Sequence, residues 1–173
     1  MVELITHVDE HDNILGVRPK TDFIEDPSLY YRTSHLYIFN SKGELLIQQR
    51  SKTKRVYPGL YDTSVSGTVR AGETYEEAIA RETYEELGIK DLSYNFVLKN
   101  TRTNDIHSNH ETLYSATYDG SITCQEGEVE KTHWMSKSQI IQKMKDHPEK
   151  FCPPFLEEIR HIINDIRLTF IFI

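Results

Sequence analysis

The chain has 173 residues, 38% of them hydrophobic and 27% charged, and a formal net charge of −7. That length suits one domain, residues 1–173, large enough to bury a real core. The acidic balance excludes a general nucleic-acid coat or an anionic membrane surface as partner, but leaves room for a small phosphorylated ligand in a local basic pocket.

The first ten residues, MVELITHVDE, lack a basic segment followed by an apolar run, and no stretch reaches the roughly 18 apolar residues of a membrane helix. Residues 2–8 alternate as a strand, Asp12-Asn13 turns, and ILGVRP returns, which predicts an N-terminal hairpin. SHLYIFN (34–40) and ELLIQQR (44–50) read as strands joined by the turn Ser41-Lys42-Gly43. SKTKRVYPGLYDTSVSG is loop-like, punctuated by Pro58-Gly59. Thr74 is placed to cap a helix with Glu77 as its capping-box partner, and Gly88 stops that helix after Leu87. LSYNFVLKNTR, ETLYSATYDG and VEKTHWMS read as three further strands. Ser136 or Ser138 opens a helix that ends before Pro148, and Pro153-Pro154 leads a last one. Strands with helices between and after them predict an α/β fold, a sandwich around a mixed sheet. Two isolated cysteines, Cys124 and Cys152, form neither a disulfide framework nor a zinc spacing and suit a reducing cytoplasm.

The segment GTVRAGETYEEAIARETYEELGI, residues 67–89, holds six glutamates against Arg70 and Arg81. At about 100° per residue Glu82, Glu85 and Glu86 share one helix face, while Ile79, Ala80, Thr83 and Leu87 form a core-facing stripe. Like charges at these spacings cost a few tenths of a kcal/mol per pair. A divalent cation would neutralise them, and oxygen ligands without nearby Cys or paired His favour Mg2+ or Mn2+ over Zn2+. Gly67 and Gly72 allow close backbone approach, so the Gly67 carbonyl can face the same ion. Arg81 stands beside Glu82 and within reach of Glu77 and Glu85, where it can hold carboxylates in place. A solvated acidic helix face is the plainer reading of three such glutamates taken alone.

The whole spacing says more. From Gly67 there are five residues to Glu73, then seven to Arg81-Glu82, then Glu85-Glu86 and Gly88-Ile89. This resembles the Nudix box, with Thr83 where an aliphatic residue is usual. The resemblance implies a Nudix-type α/β/α sandwich and a Mg2+-dependent hydrolase of an organic diphosphate. By that resemblance Glu82, Glu85 and Glu86 bind metal with the Gly67 carbonyl, and Glu73 and Arg81 support them. The base that accepts the proton of the attacking water is then Glu85 or Glu86, with Glu111, Glu126 and Glu128 as alternatives.

VDEHDNILG, LYIFNSKGELLIQQRSKTKRVYPGLYDTSVSG and EVEKTHW look like the branch of the family that contains isopentenyl diphosphate isomerase. That isomerase uses a cysteine before its box, a histidine shortly after it, and a pair of histidines on the N-terminal side. Here the first two positions read Ser66 and Thr68, and no histidine falls between His11 and His35. Serine is a far weaker acid than cysteine and a poor group for moving protons on carbon. Glu111, in HETLY, does match a glutamate of the isomerase. Hydrolase chemistry on an isomerase-like scaffold is the expectation, with isomerase activity as the alternative.

Arg50, Lys52, Lys54 and Arg55 form the dense basic cluster. Arg50 and Lys54 match positions that meet the diphosphate in the isomerase branch, and a forked Arg beside a Lys suits that group. Arg70 can add to the same pocket. Tyr31, Tyr57 and Tyr61 are core residues or a wall for the rest of the substrate. His107 and His110 are surface residues or line the site near Glu111. Trp134 reads as core. The apolar tail Leu168 to Ile173 packs on its own core or is buried in a homodimer.

Overall fold

The computed structural model describes residues 2–103 and 107–164. The N-terminal hairpin forms from β1 (Leu4–Val8) and β2 (Ile14–Pro19), and a short helix α1 (Asp22–Glu25) follows. The central strand β3 (Tyr30–Phe39) starts four residues earlier than SHLYIFN and turns into β4 (Leu45–Arg50). Asn40 shapes that turn: its side-chain oxygen accepts the backbone N–H of Lys42 and of Glu44, each at 3.0 Å. Gly43 supplies the positive φ of 74° that the turn requires.

The segment read as a loop after β4 is a loop only over residues 51–60. Two short strands follow, β5 (Tyr61–Asp62) and β6 (Val65–Thr68). Neither has the length to show alternation; β5 forms by pairing with β4 and β6 by pairing with β3. β6 runs antiparallel to β3 with Thr33 opposite Thr68 and His35 opposite Ser66. The helix α2 (Tyr75–Leu87) begins at the predicted Thr74–Glu77 capping box and ends at Gly88, whose φ is 69°. Such a cap contributes about 1 kcal/mol. Its buried stripe is Ala78, Ile79, Thr83, Glu86 and Leu87. Ala80, expected on that stripe, is exposed, because the stripe is rotated toward Ala78. Thr83 fits the stripe since its hydroxyl donates to the Ile79 carbonyl at 2.6 Å.

β7 (Asn95–Thr103) and β8 (Ser108–Thr117) pair antiparallel, and β8 lies parallel to β3 along its whole length. β9 (Val129–Met135) pairs with β4, and α3 (Lys137–Asp146) and α4 (Pro153–Asn164) complete the described chain. The sheet is therefore mixed, as predicted.

Alternation along β3 sorts the core into two layers. Leu36 and Ile38 face α2, packing with Val65, Ile79, Leu87 and Tyr114. Tyr37 and Phe39 face the other way, onto Phe155, Ile159 and Ile162 of α4 and Ile140 of α3. Helices thus cover both faces of the sheet, an α/β/α sandwich. Trp134 is half-buried against the α2 layer. The tail Leu168 to Ile173 lies outside the described residues.

Candidate active site

Gly67 and Gly72 are both glycine, for different reasons. Gly72 has a φ of 86° with open space around it, so the backbone conformation requires it. Gly67 has ordinary backbone angles, but a Cβ there would collide with the Glu82 side chain. The Glu82 side chain lies over Gly67 on β6, in the space that a Cβ would fill.

Around this contact a pocket of about 460 Å³ opens. Glu82, Glu85, Glu86, Gly67 and Arg70 line it, together with Arg50 at the end of β4, Lys54 in the loop that follows and Glu128 just before β9. The three glutamates expected together are brought to one pocket. Their carboxylates do not close on a single point. Among the described residues, the set of three possible ligand groups with all atoms within 4.8 Å of one another is His35, Glu111 and Glu158 instead.

Arg81 explains how the box carboxylates are held. It donates to Glu73 at 2.7 and 2.9 Å, to Glu82 at 2.6 Å, to Glu85 at 3.2 Å and to the Thr68 carbonyl at 3.1 Å. One guanidinium therefore ties the turn, the helix and β6 together. The expected contact with Glu77 is not made, because Glu77 is engaged in the capping box with Thr74. Glu73 also accepts the Arg70 backbone N–H at 2.9 Å. Burial alone would raise Glu73, but the Arg81 hydrogen bonds outweigh it and hold the carboxyl below its ordinary value. Glu82 is pushed up by burial despite Arg81.

Glu86 is the unusual member. It is 9% exposed, and its hydrogen bond is to a neutral donor, the Gln48 amide at 3.2 Å. Burial, then the negative charges of Glu82 and Asp62, push its pKa well above the ordinary carboxylate value. A hard, oxygen-only donor set with an unbalanced buried carboxylate fits a Mg2+-type cation. Gln48 was not visible as a site residue in the sequence because nothing local marks a strand glutamine as the partner of a helix glutamate 38 residues on.

The basic cluster divides. Arg50 is tethered, donating to the Val56 carbonyl and to Asp62, all at 3.1 Å. Lys54 forms an ion pair with Glu128. Arg70 reaches Glu85 at 3.5 Å. Lys52 is exposed and Arg55 belongs to the neighbouring cavity. Glu126 is exposed on its turn.

That neighbouring cavity, about 750 Å³, shares Arg50, Lys54, Ser66 and Thr68 with the pocket. Its walls include Phe23, Tyr31, Tyr57 and Phe155, and it holds Glu111. Glu111 is thus a near neighbour of the box rather than a member of it. His107 lines this cavity. His110 is not a surface residue: it is 3% exposed, stacks on Tyr30 and bonds the Asp9 carbonyl at 2.9 Å. Tyr61 packs against Phe151 and His133.

Residues 30–154 match the NUDIX domain family. The chain belongs to the Nudix family. It is 33% identical to an uncharacterised Nudix hydrolase of Pseudomonas aeruginosa, over 91% of this chain and 92% of that protein. It is 30% identical to a prenyl-diphosphate phosphatase of Methanosarcina mazei, over 94% and 96%. Isopentenyl-diphosphate Delta-isomerases also match, that of Corynebacterium diphtheriae at 29% identity over 92% and 93%. A crystal structure of a Deinococcus radiodurans protein superposes with a TM-score of 0.79, at 27% identity, over 92% of this chain and 98% of that one. With an intact box and Nudix hydrolase relatives, this Nudix protein is an enzyme of the pyrophosphohydrolase class, within the branch that also holds the isomerases. Among the described residues no helix is long and apolar enough to cross a membrane.

Proposed function

We propose that this enzyme, a single Nudix domain acting in the cytoplasm, cleaves the diphosphate bond of a small organic diphosphate, with Mg2+ or Mn2+ as its cofactor. The substrate class is a nucleoside diphosphate derivative or a related organic diphosphate. Isoprenoid diphosphates are included by likeness to the Methanosarcina phosphatase. The observation that carries the reading is Glu86: a buried carboxylate, opposed by like charges, on a pocket whose other wall is basic.

Glu82, Glu85, Glu86 and the Gly67 carbonyl would hold the cation. When bound, such an ion withdraws negative charge from the diphosphate oxygens and acidifies water. The remaining work falls to the chain's own groups. Arg81 and Glu73 fix the orientation of Glu82 and Glu85. Arg50, Lys54 and Arg70 face the substrate's anionic oxygens, and Lys54 does so by exchanging Glu128 for phosphate. Glu85 is more exposed than Glu86 and can accept the water proton at the open side of the pocket. Glu111, across Thr68 and Ser66, is the second candidate base. The aromatic walls of the adjoining cavity receive the organic part.

Phosphorus NMR on a panel of nucleoside diphosphate derivatives, dinucleotides and isoprenoid diphosphates with Mg2+ tests this. Splitting of one substrate class, lost in Glu85→Gln, is expected. Survival of every diphosphate with both Mg2+ and Mn2+ would overturn it. The likeness to the isomerases favours a second reading. Ser66 lines both cavities at the position of the isomerase cysteine. Dimethylallyl diphosphate appearing from isopentenyl diphosphate in the same tube would establish that activity.

A further inference from the structure

His35, Glu111 and Glu158 come from three elements and meet at one place. In the parallel β3–β8 pair Glu111 lies opposite Thr33, two residues before His35, so His35 and Glu111 are diagonal neighbours on one face of the sheet. Helix α4 packs on that face through Phe155, Ile159 and Ile162, and Glu158 falls on the same stripe. One ligand atom from each of the three lies within 4.8 Å of the others.

The internal bonds leave this group incomplete. His35 Nδ1 and Glu158 are 2.7 Å apart, and Arg102 reaches Glu111 at a long 3.4 Å. The second oxygen of Glu111 and the second oxygen of Glu158 have no hydrogen-bond partner among the described residues. Both side chains are more than nine-tenths buried and both line the cavity beside the Nudix box. Against its burial the Glu158 carboxyl is held low, chiefly by His35 and less by the nearby Tyr37 hydroxyl, which makes no hydrogen bond of normal geometry. A buried carboxylate oxygen that no donor reaches is unfavourable, and here there are two. An ion pair between His35 and Glu158 alone accounts for neither.

We infer that His35, Glu111 and Glu158 form a second cation site, separate from the box glutamates, for a borderline divalent transition metal of the Zn2+ class. One imidazole nitrogen and two carboxylates are the donors such an ion accepts, with a fourth position open to the cavity. The box offers only oxygen and selects a harder ion. The site shares Glu111 with the isomerase pattern and differs from it in the other two ligands: the positions of that cysteine and the histidine after it are Ser66 and Thr68, and neither His35 nor Glu158 belongs to it.

The test uses the full chain, Zn2+ as the probe, and Mg2+ in large excess to occupy the box. After equilibrium dialysis, metal analysis is expected to find about one Zn2+ per chain. His35→Asn and Glu158→Gln should each weaken Zn2+ binding at least ~10-fold, whereas Glu85→Gln should leave it unchanged. Circular dichroism establishes that each variant is folded. In case a variant is not, the wild-type chain labelled with 15N-histidine gives an independent reading: Zn2+ should displace the ring-nitrogen signals of a single histidine among eight. Zn2+ that fails to bind beside Mg2+, that is lost in Glu85→Gln, or that moves no histidine resonance would overturn the inference.

Discussion

The two carboxylate groups on either side of β6 solve opposite problems. At the Nudix box a single Arg81 nitrogen braces Glu82 and Glu85, while Glu86 turns away to Gln48. At the α4 face, His35, Glu111 and Glu158 are already gathered, with a basic residue at each carboxylate. Gathering like charges without a counterion is costly, so the first group leans on an arginine brace and stays open. A site of mixed charge can close on itself. Openness leaves room for a bulky ligand beside the carboxylates. Closure suits one ion held tightly.

The largest effect is expected from Gly67→Ala. The new Cβ occupies the space of the Glu82 side chain, so turnover should fall about 100-fold while the fold persists. Steady-state kinetics beside a thermal melt separates the two effects. An unchanged rate would mean that Glu82 can move freely. Next comes Arg81→Lys, which keeps the charge but loses the fork that spans Glu73, Glu82 and Glu85. The Mg2+ concentration for half-maximal activity should rise about 10-fold.

A smaller effect tests the cost of the open site. Glu86 has a raised folded pKa, so the folded metal-free chain binds a proton there that the unfolded chain has released. Stability therefore falls as pH climbs from the unfolded carboxylate value toward the folded one. Glu86→Gln should raise the metal-free melting temperature by about 2–4 °C at neutral pH, with a lesser gain near pH 5, and should abolish activity. The smallest effect is the mirror case. Glu73 has a depressed pKa, so its stabilising contribution is present above the unfolded value and is lost as pH falls through the folded one. Glu73→Gln should lower the melting temperature at neutral pH, and the difference should close in acid.

Much of the box was legible because its signals are local. Caps, glycine stops and a helical spacing of charges lie within 23 residues, and the Thr74–Glu77 box formed as read. The strands β5 and β6 were not legible, because two- and four-residue strands are too short for a pattern and exist only through their partners, β4 across a loop for β5 and the more distant β3 for β6. Glu158 hid for another reason. A glutamate in FLEEIRHII looks solvated, yet it stands three residues after Phe155 and four before Ile162, on the apolar stripe. A charge at that phase of an amphipathic helix was the available clue. His35 offered a similar one, sharing its strand face with Tyr37 and Phe39.

β3 supplies the floor of both layers through alternate residues, His35 and Tyr37 on one side, Leu36 and Ile38 on the other. A single residue inserted or deleted within Tyr30–Phe39 would exchange the two floors at once, sending leucine toward Glu158 and histidine into the α2 core. Length changes should therefore be accepted in the turn at Ser41–Gly43, where the chain reverses at the surface, and refused anywhere along this strand. For anyone grafting loops or splicing relatives together, the safe crossover points lie outside Tyr30–Phe39.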